Sequence, residues 1–240
     1  AHERARTLLD TRAAFVTALD AVADAYLPHL TTAERARALD VWRADAHGFY
    51  RRHTTGELTA DEQRRLRAAE LHETFGGPVV GEELFPEWNA VFRAGFEAGW
   101  VLPPDVAGLL RWARGTDLAV GLLTNAPLAL TRRKLERTGL GEDAPLLVTL
   151  DTFGFGKPDP RVFLEGCRLL GTPPAATTYV GDELDVDGLG AREAGLRAVW
   201  LDRPGARRGG VHLEDPAAAR EAGVAVVASL AELPDLLRPV

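Results

Sequence analysis

The sequence predicts an α/β fold: a parallel-sheet core with a helical module attached. Three observations carry that prediction. Short apolar runs at 118–123, 146–150, 177–180, 198–201 and 224–227 alternate with helical patterns, as βαβ units do when their strands are buried on both faces. The first hundred residues show no strand-like alternation and read as helices alone. With 240 residues, 46 % hydrophobic and 26 % charged, the chain has globular composition and enough length to bury its own core.

Phe15, Leu19, Val22 and Tyr26 recur at three- and four-residue spacing, the apolar stripe of a helix ending near Pro28. Thr31-Thr32-Ala33-Glu34 and Thr59-Ala60-Asp61-Glu62 are capping-box patterns, so each starts a further helix. Another apolar-periodic stretch runs over 84–100, before Pro103-Pro104. Beyond these prolines, helices are expected near 105–115, 127–138, 159–170, 187–195 and 229–237. The expected division is a helical module of roughly 13–101 attached to an α/β core of roughly 102–240.

Composition removes several function classes. The single Cys167 excludes a disulfide framework and a cysteine zinc site, and fits a reducing, cytoplasmic compartment. No apolar run approaches the roughly 20 residues of a membrane span. A net charge of −7 argues against nucleic acid or an anionic membrane as partner. Arg51, Arg52, Arg64, Arg65 and Arg67 cluster, but 13–101 holds nine basic against fourteen acidic residues. The six histidines lack paired ligand spacing. The tryptophans are expected to pack at helix and strand faces, and Cys167 in the core. Only two cations are lysines, Lys134 and Lys157. Lys134, among Arg132, Arg133 and Arg137, is expected on a solvated face.

Ligands of an open parallel sheet bind beyond the carboxyl ends of its strands, so the residues that follow each strand matter most. Strand 118–123 leads into Thr124-Asn125-Ala126-Pro127, where a hydroxyl and helix-start N–H groups suit a phosphate or serve as an ordinary cap. Strand 146–150 leads into a loop with Gly154, Gly156 and Lys157-Pro158-Asp159-Pro160, where Lys157 can neutralise phosphate oxygens or shield carboxylates. Strand 177–180 ends at Gly181-Asp182-Glu183-Leu184-Asp185-Val186-Asp187. Asp182 and Asp187 there are candidate Mg²⁺ ligands, although acids also suit a first helical turn.

Together these loops resemble the haloacid dehalogenase superfamily of hydrolases. Thr124-Asn125-Ala126 is similar to its second motif, Lys157-Pro158-Asp159-Pro160 to its third, and Gly181-Asp182 with Asp187 to its fourth. Thr7-Leu8-Leu9-Asp10-Thr11 resembles the segment that follows its first motif, which adds Asp10 to the substrate-binding candidates. The resemblance implies a doubly wound parallel-sheet (Rossmann-like) core of residues 1–12 and 102–240 that handles phosphate, with an inserted α-helical cap domain over 13–101 that reads the rest of the substrate. It also implies Mg²⁺-assisted hydrolysis of a small phosphate monoester through a phosphoaspartyl enzyme.

The first motif itself departs from the family. Its pattern is an apolar strand ending in Asp-x-Asp-x-Thr, with the nucleophile first and the general acid/base second. Alignment on Thr7 places Glu3 at the nucleophile position and Ala5 at the acid/base position. Glu3 is a methylene longer, and Ala5 cannot transfer a proton. Three explanations stay open: a segment absent between Arg6 and Thr7, a pseudoenzyme acting as a binding or regulatory module, or a central strand from a partner chain. A 2-haloacid dehalogenase is a further alternative, against which the acidic fourth motif argues. The expected partner is a small phosphorylated metabolite, with neither nucleic acid nor membrane.

Overall fold

Thr31 and Thr59 begin helices in the computed structural model as their capping boxes require, each hydroxyl accepting from the N–H three residues on while Glu34 and Glu62 reach back. The structure describes residues 7–140, 145–209, 212 and 214–237, which fall into two units. Glu3 and Ala5 lie outside the described residues.

The first unit takes residues 10–101 with 208, 209 and 212. It is built of α1 (Thr11–Tyr26), α2 (Thr32–Ala44), α3 (Phe49–Thr54), α4 (Ala60–Phe75) and α5 (Phe85–Ala98). The α1 stripe buries Phe15, Leu19 and Val22 against Trp42, Trp88, Phe92 and Phe96. Ring centroids lie 5.0 Å apart for Phe15–Phe96 and 4.8 Å for Trp42–Phe92, within the range where aromatic pairs gain beyond area burial. Arg64 and Arg67 are buried: Arg64 donates to Asn89 Oδ1 at 2.8 Å, and Arg67 lies 4.0 Å over the Trp42 ring. The arginine cluster therefore contributes two of its members to packing. His72 is held in one tautomer, because Nδ1 donates to the Pro78 carbonyl while Nε2 accepts from Trp88 Nε1–H at 2.9 Å.

The second unit takes residues 7–9, 102–207 and 214–237. In chain order it runs α6 (Pro104–Arg114), β1 (Leu122–Leu123), α7 (Leu128–Thr138), β2 (Leu146–Val148), α8 (Leu150–Phe153), α9 (Pro160–Leu170), β3 (Thr178–Gly181), α10 (Gly190–Glu193), β4 (Arg197–Leu201), α11 (Pro216–Glu221), β5 (Val224–Val227) and α12 (Leu233–Leu237). All pairings are parallel. Among the described residues the strands form two sheets, β1-β2 and β3-β4-β5. β1 is shorter than the apolar run 118–123 because it pairs on one edge only and its register shifts between Leu122 and Leu123. Cys167, Phe163 and Trp200 fill the core beside β3 and β4.

Two helices differ from expectation. The helix expected at 187–195 starts earlier, as a π-helical turn over Leu184–Leu189 that runs into α10. Asp187 folds back there, its backbone N–H donating to the Glu183 carbonyl and its Oδ2 accepting from the Glu183 N–H. The helix expected at 229–237 splits into a 3₁₀ turn and α12, with Pro234, which has no N–H to donate, near the break.

Asp105, at the start of α6, ties three segments together. It accepts two hydrogen bonds from Arg203, both 2.8 Å, one from Ser229 Oγ at 2.6 Å and one from the Leu230 N–H at 2.9 Å. Burial pushes this carboxyl up, but the Arg203, Ser229 and Leu230 hydrogen bonds outweigh it and bring it down to about 2. Among the described residues no helix is long and apolar enough to cross a membrane.

Candidate active site

The chemistry-bearing loops meet at the carboxyl ends of β1 and β3. Thr124 follows β1 directly, its N–H donating to the Val148 carbonyl, and its hydroxyl accepts from the Ala126 N–H at 3.3 Å. Asn125 joins this loop to that of Lys157: its Oδ1 accepts from the Lys157 N–H at 2.6 Å and its Nδ2 donates to the Lys157 carbonyl at 3.0 Å. The reciprocal pair is a side-chain imitation of a sheet ladder. It needs glycine at 156, where a Cβ would stand 2.3 Å from Asn125 Oδ1.

Lys157 is buried, and its ammonium donates to Asp187 Oδ1 at 2.8 Å and to the Tyr179 hydroxyl at 2.9 Å. Asp187 Oδ1 also lies 3.3 Å from the Tyr179 hydroxyl. With Oδ2 taken by the Glu183 N–H, both oxygens of Asp187 are engaged. Gly181 makes that approach feasible, since a Cβ there would stand 2.3 Å from the Asp187 carboxyl carbon. Asp182 lies at the end of β3. Its carbonyl accepts from Trp200 Nε1–H at 3.0 Å, and its Oδ1 is in long contact, 3.5 Å, with the Thr7 hydroxyl.

The structure thus brings together Thr124, Asn125, Ala126, Lys157, Asp182 and Asp187 within one unit. Asp10 is placed otherwise: it belongs to the helical unit, is exposed, and caps α1 by accepting from the Ala13 N–H at 3.0 Å. Glu3 lies outside the described residues. The start of α7, expected to offer N–H groups to an anion, already has one in Asp151, whose Oδ2 accepts from the Leu128 N–H at 2.7 Å.

Lys134 does not stand on a solvated face. It is 3 % exposed, on the buried side of α7 with Leu130 and Thr131. Their spacing of one, three and four residues is a helical stripe that the flanking arginines obscure. Tyr179 was not singled out by sequence, where its hydroxyl stands beside those of Thr177 and Thr178. Thr7 joins the site through Asp182. Among the described residues no group of three or more His, Cys, Asp or Glu is placed to hold a metal ion. The acidic donors at the strand end are Asp182, beside Thr7, and Asp187, engaged by Lys157.

A family model described as haloacid dehalogenase-like hydrolase matches residues 7–195. The phosphoserine phosphatase of Thermus thermophilus is 38 % identical over 156 residues, which are 65 % of this chain and 58 % of that protein. The chain spans about half the length of several curated relatives it matches. Among solved structures, the HAD-hydrolase YfnB from Bacillus subtilis, bound to magnesium, superposes with a TM-score of 0.74 at 22 % identity, covering 97 % of this chain and 94 % of that one. The L-2-haloacid dehalogenase PA0810 gives a TM-score of 0.70 at 26 % identity, covering 98 % and 97 %.

Proposed function

Because this chain belongs to the haloacid dehalogenase-like hydrolase family, we propose that its α/β unit is the phosphate-handling core of an enzyme that hydrolyses a small phosphate monoester. The observation that carries this is the convergence of Lys157 with Asp187 and Tyr179 beside the Thr124 and Asp182 strand ends. In this assignment the Thr124 hydroxyl and the 125–126 backbone orient the phosphoryl oxygens. Lys157 offsets their charge while holding Asp187 in place. Residues 13–101 act as the cap that reads the organic part of the substrate.

Magnesium fits as an ion held mainly by substrate and water, since such sites use one or two carboxylates completed by phosphate oxygens. Asp182 is the carboxylate assigned to it; Asp187 serves Lys157 first. When bound, the ion neutralises charge on the transferring phosphoryl group. No nucleophile is assigned among the described residues, because the aligned position is Glu3. That same position, with Ala5 at the acid/base, favours a second reading as a non-catalytic phosphate-binding module.

The test combines turnover of 4-nitrophenyl phosphate, with Mg²⁺ and with chelator, and calorimetry with inorganic phosphate. Mg²⁺-dependent turnover supports the hydrolase. Phosphate binding without turnover, weakened by Lys157→Ala, supports the binding module. Absence of both, or chloride release from 2-chloropropionate, overturns the phosphate assignment.

A further inference from the structure

Lysine carries donors and no acceptor, so the 2.9 Å hydrogen bond between Lys157 Nζ and the Tyr179 hydroxyl runs in one direction only. The hydroxyl oxygen accepts from the ammonium, which turns its own proton toward Asp187 Oδ1, 3.3 Å away. Asp187 Oδ1 also accepts from Lys157 Nζ at 2.8 Å. The three groups close a ring, through one longer contact, in which every donor and acceptor role is set.

Each member of the ring is anchored elsewhere. Tyr179 lies within β3, in register with Ala198 of β4, and its ring meets Phe163 edge-on with centroids 5.0 Å apart at 89°. The Glu183 N–H holds the other oxygen of Asp187, and Asn125 clasps the Lys157 backbone on both sides. Between these anchors the Lys157 side chain is a flexible four-carbon stem with rotatable donors. Asp187 alone would fix one N–H and leave the ammonium to turn about it; the hydroxyl fixes a second. With two of its three N–H bonds committed, tetrahedral geometry gives the third a single direction. Tyr179 achieves this with a neutral oxygen, whereas a second carboxylate there would cancel the charge that Lys157 brings to the site.

We propose that Tyr179 is a positioning residue of the phosphate site, its hydroxyl orienting the Lys157 ammonium toward the phosphoryl oxygens. The inference rests on the phosphate reading given above and adds to it a residue that acts through Lys157 and not on the substrate. A donor whose direction is preset needs no reorganisation when the anion arrives, which is the condition under which a charged contact is most effective. Support of this kind, from side chains locked by packing and by hydrogen bonds of their own, is what holds a binding group in productive geometry.

The test begins with calorimetry of the full chain with inorganic phosphate, without metal. Tyr179→Phe keeps the ring against Phe163 and removes only the hydroxyl; it should weaken phosphate binding about tenfold, the effect of one hydrogen bond. In a Lys157→Met background the same substitution should weaken binding no further, because Tyr179 acts through the ammonium. A second readout, by nuclear magnetic resonance, needs no ligand: a chain isotope-labelled at the lysine side-chain nitrogen has only Lys134 and Lys157 to report. Tyr179→Phe should move the Lys157 signal and leave that of Lys134 in place. A packing role alone would alter neither the phosphate affinity nor the Lys157 signal. The proposal is overturned by equal weakening when Lys157 is methionine, or by an unmoved Lys157 signal, which takes the place of that comparison if Lys157→Met does not fold. A wild type that binds no phosphate overturns the phosphate reading and this inference together, whereas wild-type binding that Tyr179→Phe leaves intact overturns this inference alone.

Discussion

Replacing Lys157 by alanine tests the site through stability before any chemistry is measured. The Lys157–Asp187 pair has side chains 8 % and 3 % exposed, so the substitution strands a carboxylate away from water. Breaking a buried pair on one side typically destabilises by about 3–5 kcal/mol. Asp187 keeps the Glu183 N–H and the Tyr179 hydroxyl, which places the expected loss near the lower end, about 3 kcal/mol. Lys157→Ala is therefore not a silent change to the fold, contrary to what a loop lysine would suggest. The assay is urea denaturation at pH 7 of Lys157→Ala, and of Lys157→Met, Asp187→Leu and the double variant of these last two. The singles should each lose stability, and the double should recover part of it, giving a coupling of about 1–3 kcal/mol. Arg132→Ala, on the exposed face of α7, is the control and should stay within about 0.5 kcal/mol. A loss below about 1 kcal/mol for Lys157→Ala, or an additive cycle, would refute the buried-pair argument.

Other outcomes follow from particular contacts. Asp105→Asn should cost about 2 kcal/mol at pH 7, from a carboxyl held at about 2 against an ordinary 3.8. Because that pKa is depressed, the stabilisation is present above pH 3.8 and disappears as pH falls toward 2, so wild type and variant should converge in acid unfolding curves. Burial lowers the pKa of His72 and of His53 below the ordinary 6.5. The unfolded chain then takes up these protons first, and the helical unit should be at full stability above pH 6.5 and lose it below. Trp88→Phe, which removes the donor to His72 Nε2, should flatten that dependence in thermal melts followed by circular dichroism. Gly156→Ala should displace Asn125 from Lys157 and weaken inorganic phosphate binding in calorimetry, with little change in helix content; unaltered binding would detach the loop clamp from the site.

What the sequence disclosed depended on how local the determining interaction is. The boxes at Thr31 and Thr59 close within four residues, so their helices begin where the pattern places them. The apolar runs marked the five described strands, although β1 keeps only two residues of its run and, with most of β3, is half-buried. Strand pairing leaves no compositional trace, and the division into two sheets could not be read from those runs. The six-residue α3 was missed, since Gly48 gives it no side-chain cap. At the site, Lys157, Asp182 and Thr124 stood out through loop position. The Asn125 clamp and the Tyr179 contact were invisible, because each joins residues more than twenty positions apart. Lys134 was misjudged from its charged neighbours, when its helical spacing to Leu130 and Thr131 pointed inward.

The two lysines have a consequence outside catalysis. Both are less than a tenth exposed, so the described surface carries its positive charge on guanidinium groups and presents no side-chain amine to solvent. Amine-acylating reagents, which ordinarily coat a protein's exterior at once, must here wait for the α/β unit to open. Acylation at Lys134 and Lys157, followed by mass spectrometry, thereby becomes a clock for breathing of two neighbouring segments. Any ligand that settles among the strand ends should slow that clock, which gives a screen for occupants that needs neither turnover nor a chromophore.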